Sequence, residues 1–313
     1  MKILVTGSSG TIGTRLCETL MKEGHEVAGF DWVPNKWQSS VQKITTIVDL
    51  RNEEELKALS IQLTARPFDA IVHLAANARV YDLVVEPTLA RDNMITTFNV
   101  LEFARLNKIP RFIFASSRET YGNSGAASYT EDMVRVEHCE SPYTASKIAG
   151  EALTEAYRRC YGIGSVIVRF SNVYGMYDES NRVVPLFVRR ARKGEPLEVY
   201  GKDKCLDFTY IDDTVAGLLL VLKNFDHVQG DTFNLAFGQG ISILHVAETL
   251  KELLGSSSTI AMGQSRTGEV TRYTADISKA KKALGYAPKV DFEEGIRKSV
   301  EWYNTVSTLI KGL

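Results

Sequence analysis

Two stretches of the chain carry side chains in patterns suited to proton transfer. In "SPYTASKIAGEAL" (141–153), Tyr143 and Lys147 stand four residues apart, so a helix presents them on one face. Pro142 falls where the first helical turn tolerates a proline. A tyrosine hydroxyl ordinarily titrates at about 10, and a neighbouring cation favours its phenolate. Such a pair can take a proton from an alcohol or return one to a carbonyl. Taken alone, Tyr-x-x-x-Lys also suits a plain amphipathic surface helix. The second stretch, "SSRETYGNSG" (116–125), offers the hydroxyls of Ser116 and Ser117, the Arg118 cation, the Glu119 carboxylate and the Tyr121 phenol. It follows a predicted strand, "RFIFA", and a plain exit from a strand needs none of these groups.

A hydride carrier is implied near the N-terminus. "VTGSSGTIG" spaces Gly7, Gly10 and Gly13 as G-x-x-G-x-x-G, with Thr11 and Ile12 opening a helix. The first two glycines let the backbone turn and approach a pyrophosphate, and the third lets the helix pack on its strand. Strand, glycines and helix in this order are the context a dinucleotide site needs. Asp31 ends the next predicted strand, where a carboxylate binds both adenosine ribose hydroxyls and repels a 2′-phosphate. NAD is therefore expected over NADP. Asp49 and Leu50 at the end of the third strand, and Leu74, Ala75 and Ala76 in "HLAA" after the fourth, fall at the carboxyl edge of the sheet. Asp49 serves equally well as a helix cap.

These residues need a scaffold, and the pattern supplies one. Runs 2–7, 26–31, 45–50, 69–75, 111–117 and 165–170 are apolar on both faces, as buried parallel strands are. Helical patterns at 12–23, 53–63, about 86–106 and 143–161 separate them. The expectation is an α/β fold, a doubly wound parallel (Rossmann) sheet with right-handed crossovers. Beyond 172 the rhythm changes. Residues 183–201 read as helix, Lys-Gly turn and strand, and 208–222 as a strand entering a helix capped by Asp212 or Asp213. Helices are expected around 242–254 and 292–311. With no repeat or linker, the second lobe should interleave with the first: 1–172 plus about 207–236 for the cofactor, 173–206 and 237–313 for a substrate.

The whole chain of 313 residues is 44% hydrophobic and 24% charged, as an ordinary globular protein is. Its net charge of −1 suggests neither nucleic acid nor an anionic membrane as partner. No apolar run approaches the roughly 20 residues that span a bilayer. "MKILVTGSSG" reads as a first strand, not a leader. Cys17, Cys139, Cys160 and Cys205 are scattered, which suits reduced thiols in a cytoplasmic protein and no metal site.

Taken in order, "TGSSGTIG", Asp31, "DLR" (49–51), "HLAA", Asn93, "SSRETYG", "YTASK", "RFSNVYG" (169–175), "LDFTYIDD" (206–213), "RTGEVTRY" (266–273) and "DISKAKKALGYAP" (276–288) resemble the extended short-chain dehydrogenases/reductases of the nucleotide-sugar epimerase/dehydratase family. The resemblance runs nearly end to end. It implies that Ser117 hydrogen-bonds the reacting sugar oxygen, that Tyr143 is the acid/base, and that Lys147 holds the nicotinamide ribose and depresses the tyrosine. It places Asn93 and Ser116 along the cofactor. Arg118, Glu119, Asn172, Val184, Phe187 and Tyr200 would face the sugar nucleotide, and Arg266, with Arg272 behind it, would clamp the diphosphate. It also implies a homodimer through the helices near 86–106 and 143–161, with Ile148, Leu153 and Tyr157 presented for pairing. Two departures stand out. Leu206 replaces the family's phosphate arginine, leaving Lys202 or Lys204 to substitute, and Thr11 stands where an aromatic is usual.

Glu119 divides the outcomes. The family's 4,6-dehydratases carry an acid there that removes the C5 proton, often preceded by an aspartate that protonates the leaving hydroxyl. Here the preceding residue is Arg118, which cannot donate that proton. The expectation is therefore an NAD-dependent nucleotide-sugar 4-epimerase acting on a UDP-hexose, with Arg118 and Glu119 paired at the pocket rim. The alternatives are a dehydratase using Glu119 as base and, more remotely, a non-catalytic NAD-binding protein.

Overall fold

The computed structural model of the chain describes residues 1–62 and 68–307. The first half alternates β1 (Lys2–Thr6), α1 (Thr11–Lys22), β2 (Glu26–Asp31), α2 (Ser39–Ile44), β3 (Thr45–Ile47), α3 (Glu53–Gln62), β4 (Ala70–His73), α4 (Val80–Val85), α5 (Thr88–Leu106), β5 (Arg111–Ser117), α6 (Pro142–Tyr161) and β6 (Gly164–Phe170). There follow β7 (Asn172–Tyr174), α7 (Val183–Arg192), β8 (Leu197–Tyr200), β9 (Cys205–Tyr210), α8 (Ile211–Lys223), α9 (Phe225–Val228), β10 (Thr232–Leu235), β11 (Gly240–Ser242), α10 (Ile243–Leu253), β12 (Ile260–Gly263), β13 (Arg272–Tyr273), α11 (Ser278–Leu284) and α12 (Phe292–Thr305).

Seven parallel strands form the main sheet in the order β10-β6-β5-β4-β1-β2-β3. The doubly wound α/β expectation is met. Ile3, Leu4 and Val5 of β1 and Ala70, Ile71 and Val72 of β4 are all fully buried, as strands covered on both faces must be. The winding reverses between β1 and β4, so the loops leaving these two strands part and open a crevice at the carboxyl edge. A second sheet joins β11, β9, β13 and β7 around β9, and β8 pairs with β12.

Several boundaries differ from the pattern. The helix expected at about 86–106 is α5, Thr88–Leu106, and a separate short helix, α4, precedes it. Pro87 precedes α5, and a proline that cannot donate an N–H ends α4 and opens the next helix. Strand β3 stops at Ile47, so Asp49 lies beyond it. Neither Asp212 nor Asp213 caps α8. Strand β9 runs straight into the helix, both aspartates already lie in its first turn, and Tyr210 is the preceding residue. Asp213 instead accepts the backbone N–H groups of Lys289 and Val290 at 2.9 Å each, while Asp212 takes Arg15 Nε at 2.7 Å. Helix α12 is described to Thr305; residues 308–311 of that expected helix, and residue 63 of the expected 53–63 helix, lie outside the described residues.

Candidate active site

The loop after β1 builds one half of the crevice. Gly7 has φ +74, and a Cβ on it would stand 2.8 Å from the Ala75 backbone nitrogen. A Cβ on Gly13 would stand 2.0 Å from the Gly7 carbonyl oxygen. The glycines thus let two loops and a helix meet where no side chain fits. Gly7, Gly10, Asp31, Asp49, Leu50 and Ala75 line a groove of about 230 Å³, with Asn93 at its far side. The Asp31 carboxylate accepts the N–H groups of Ser9 at 2.9 Å and Val33 at 3.1 Å, and burial pushes it upward against those bonds. Asp49 is engaged by Arg51 through Nε at 2.9 Å and Nη2 at 2.7 Å, which holds it below the usual carboxylate range. Arg51 also reaches Asp92 at 2.8 Å. Asn93 braces the loop after β4, accepting the Asn77 N–H at 2.7 Å and donating to the Asn77 carbonyl at 3.0 Å.

This groove fits a dinucleotide: bare backbone at a helix N-terminus for the pyrophosphate, and a carboxylate for the ribose. Asp31→Ala is expected to weaken NAD binding about 10- to 100-fold, the worth of a charge-assisted hydrogen bond. Equilibrium dialysis of the folded variant measures this. A wild-type chain that retains NADP in preference to NAD contradicts the assignment.

The groove opens into a cavity of about 700 Å³, where Thr11, Ile12, Leu74 and Ala76 form the wall nearest the glycines. Thr11 Oγ1 donates to the Tyr177 carbonyl at 3.1 Å, a tie that an aromatic residue there would lack. Opposite, β5 delivers Ser116 and Ser117 to the cavity, and α6 delivers Tyr143 and Lys147. Helix α6 starts where it does because Ser141 accepts the Thr144 N–H at 3.2 Å and Pro142 occupies the first turn. The Ser117 and Tyr143 side chains face the same cavity. Lys147 Nζ donates to the Ala115 carbonyl at 2.8 Å and lies 5.8 Å from the centre of the Tyr143 ring. Burial pushes Lys147 down to about 8. It pushes Tyr143 upward, with the Ser117 hydroxyl and the Arg182 and Arg118 cations pulling the other way. In the chain itself, then, the depression of Tyr143 expected from Lys147 is not met: the cations that pull it down are Arg182 and Arg118, and burial outweighs them.

Arg118 and Glu119 are not at a rim. They form a single 3₁₀ turn with Thr120 and Tyr121 and line the cavity from within, Arg118 7% exposed and Glu119 3%. Arg118 Nη2 lies 2.7 Å from Glu119 Oε1, and Arg118 Nε donates to Asn172 Oδ1 at 3.2 Å. Glu119 Oε2 accepts the Val270 N–H at 3.3 Å. Burial pushes the Glu119 carboxyl upward against the pull of Arg118 and Lys204. The turn buries its charges because Ser117 accepts the Glu119 N–H at 3.2 Å, folding the chain back under the sheet edge.

The far wall comes from the second half of the chain. Val184 and Phe187 of α7 and Tyr200 of β8 line it. The Arg266 guanidinium sits between two rings, 4.9 Å from Tyr81 and 4.1 Å from Tyr200. Leu206 lines the cavity in place of an arginine, and Lys204 beside it lies 2.5 Å from Glu269. Lys202 is exposed and outside the wall. Arg272 is also exposed and outside it. The strand alternation that buries its neighbour Tyr273 turns Arg272 to solvent. Sequence reasoning did not single out Arg182 or Tyr81. They enter the wall from a loop and a short helix that no spacing relates to Tyr143.

The model of the NAD dependent epimerase/dehydratase family matches residues 3–236. A UDP-glucuronate 4-epimerase of Thermodesulfobacterium geofontis is 31% identical over 99% of this chain and 98% of its own length. A dTDP-glucose 4,6-dehydratase of Actinoplanes sp. is 32% identical over 97% of this chain and 98% of its own. The UDP-glucose 4-epimerase of Thermus thermophilus, solved with NAD, superposes with a TM-score of 0.87 at 29% identity, covering 97% of this chain and 99% of that one. A glycine-lined groove, an acid for the ribose and a match spanning both halves of the crevice have one common account: the chain belongs to the NAD-dependent epimerase/dehydratase family of enzymes, and its cofactor is NAD.

Proposed function

We propose that the protein is a nucleotide-sugar 4-epimerase working through a transient 4-keto sugar, with a UDP-hexose as substrate. The observation that carries this reading is the clasp between Arg118 and Glu119. Both carboxylate oxygens of Glu119 are engaged, one by Arg118 and one by the Val270 N–H. A guanidinium is not an acid that can protonate a leaving hydroxyl. The turn next to Ser117 therefore offers no free acid to expel a C6 hydroxyl.

Tyr143 takes the proton from the C4 hydroxyl while Ser117 hydrogen-bonds the same oxygen. Lys147 holds the ribose of the cofactor, and Arg266, fixed between two tyrosines, meets the diphosphate. Bound NAD would supply the reversible hydride acceptor for C4 and a positive charge beside Tyr143 that offsets the effect of burial, and Tyr143 would return its proton to the C4 oxygen as the hydride comes back on the other face. Residues 173–206 and 237–313 serve as the substrate lobe. A 4,6-dehydratase is the second reading. It is favoured by the burial of Glu119, which raises its affinity for a proton as a base at C5 requires.

Incubation with UDP-glucose, UDP-N-acetylglucosamine, UDP-glucuronate and their dTDP and GDP analogues, followed by NMR, tests the proposal. The expected product differs from its substrate only in configuration at C4. A 4-keto-6-deoxy product overturns it.

We also propose that the chain forms a homodimer through α5 and α6. Tyr157 does not contribute as the spacing suggested. It is buried and donates to Glu102 at 2.6 Å. The apolar surface on these helices includes Ile95 and Phe98 on α5, 37% and 44% exposed, with Ala145, Ala152 and Ala156 exposed along α6. Phe98→Asp is expected to convert a dimer to a monomer in sedimentation velocity at micromolar concentration. A wild-type monomer under those conditions refutes the pairing.

A further inference from the structure

A chain of buried polar contacts runs from behind Lys147 into the sheet. Glu151 follows Lys147 by four residues of α6, so the two share a helix face. Glu151 Oε1 accepts the Ser116 hydroxyl at 2.5 Å and Arg169 Nε at 2.9 Å, and Oε2 accepts Arg169 Nη2 at 2.7 Å. Arg169 stands beside Ser116 in the β5–β6 register, and its Nη1 continues to the Tyr121 hydroxyl at 3.0 Å. The side chains of Arg169 and Glu151 are only 5% and 13% exposed, so solvent screens this carboxylate little.

Each element around Lys147 presents a different group to it. Strand β5 presents the Ala115 carbonyl and, at 5.2 Å, the Phe114 ring. Helix α6 presents Tyr143 and Glu151. Strand β4 presents His73, which burial drives down to about 3 and so keeps neutral. On α5, Asp92 is taken by Arg51 and Arg91. Arg169 on β6 reaches the lysine only through Glu151. Among the described residues, Glu151 is the one acid that opposes the desolvation of Lys147.

We infer that Glu151 is a positioning residue: its carboxylate is the counter-charge that keeps Lys147 an ammonium and ties Ser116 to α6. The edge that carries Ser117, Tyr143 and Lys147 is thereby held ready for proton transfer at C4. Epimerisation and dehydration share that step, so the inference stands under either reaction. The competing role is a purely mechanical clasp between Glu151 and Arg169 across α6 and β6.

Titration separates the two without a sugar substrate. The full chain, saturated with NAD and labelled with [ε-¹³C]lysine, gives a Lys147 signal identified by its loss in Lys147→Arg. Glu151→Gln is expected to lower the Lys147 titration midpoint by about one pH unit or more, the usual effect of losing a close opposite charge. Glu151→Asp retains the charge one methylene further off and is expected to lower it by less than half as much. The alkaline limb of kcat, for whichever sugar nucleotide is turned over, should move with the signal. A mechanical clasp predicts lowered melting temperatures with Lys147 unmoved. That result in Glu151→Gln, or in Glu151→Ala should the glutamine variant not fold, overturns the inference.

Discussion

Tyr143→Phe is expected to lower turnover by about 10²–10⁴-fold, the typical worth of a positioned acid/base. The change deletes one oxygen and keeps the ring in its place among Leu83 and Ala90. Loss of this one hydroxyl is expected to cost only about 1 kcal/mol of stability. A folded variant that binds NAD and yet cannot oxidise C4 is therefore the anticipated outcome. Turnover per bound NAD, at saturating sugar nucleotide, is the measurement. Activity within a few-fold of wild type would show that another group carries the proton.

Glu119→Gln has two expected results, one for each reaction. In an epimerase the carboxylate serves the pocket's architecture, and turnover should stay within about tenfold of wild type. In a dehydratase the same change removes the base at C5, for a loss of about 10²–10⁴-fold, while hydride transfer survives and the 4-keto sugar accumulates. Stability must be read separately. Breaking a buried ion pair from one side costs about 3–5 kcal/mol, because the remaining Arg118 charge stays desolvated. A fall in melting temperature is thus expected under both readings, and activity must be normalised to folded protein. The wild-type enzyme in D₂O decides independently. Deuterium at C5 or C6 of the product requires proton exchange there and would sink the epimerase proposal; simple inversion at C4 places none on carbon.

How much of this was legible from the chain depends on the range of the physics involved. Runs apolar on both faces, alternating with helical spacing, already dictate a covered parallel sheet, because the period of a strand or helix is written in residues a few positions apart. Gly7, Gly10 and Gly13 are local in the same sense: the steric demands of a tight strand-to-helix turn rest on the residues that form it. Tyr143 and Lys147 share a face through helical geometry alone. The order of these motifs was enough to point to the family and its cofactor and to set an expectation for the acid/base pair.

Other features depended on tertiary structure. Pairing within "SSRETYG" could be expected, but the depth of that pair could not, since it depends on the segment around Val270 closing over Glu119 from 151 residues away. Asp213 looked like a cap until residues 289 and 290 arrived to take its carboxylate. Tyr157 has an outward spacing on paper and an inward position beside Glu102, because α5 packs on α6. Arg182, Tyr81 and Arg266 meet in one wall only after long loops have closed. Desolvation moves Lys147, Tyr143 and Glu119 from their ordinary titration ranges, and it depends on how many atoms surround a group in three dimensions. The sequence by itself therefore determined the sheet, the glycine turn and which residue types could do the chemistry. Tertiary packing alone decided which charges lost their water and which partners they then had to find.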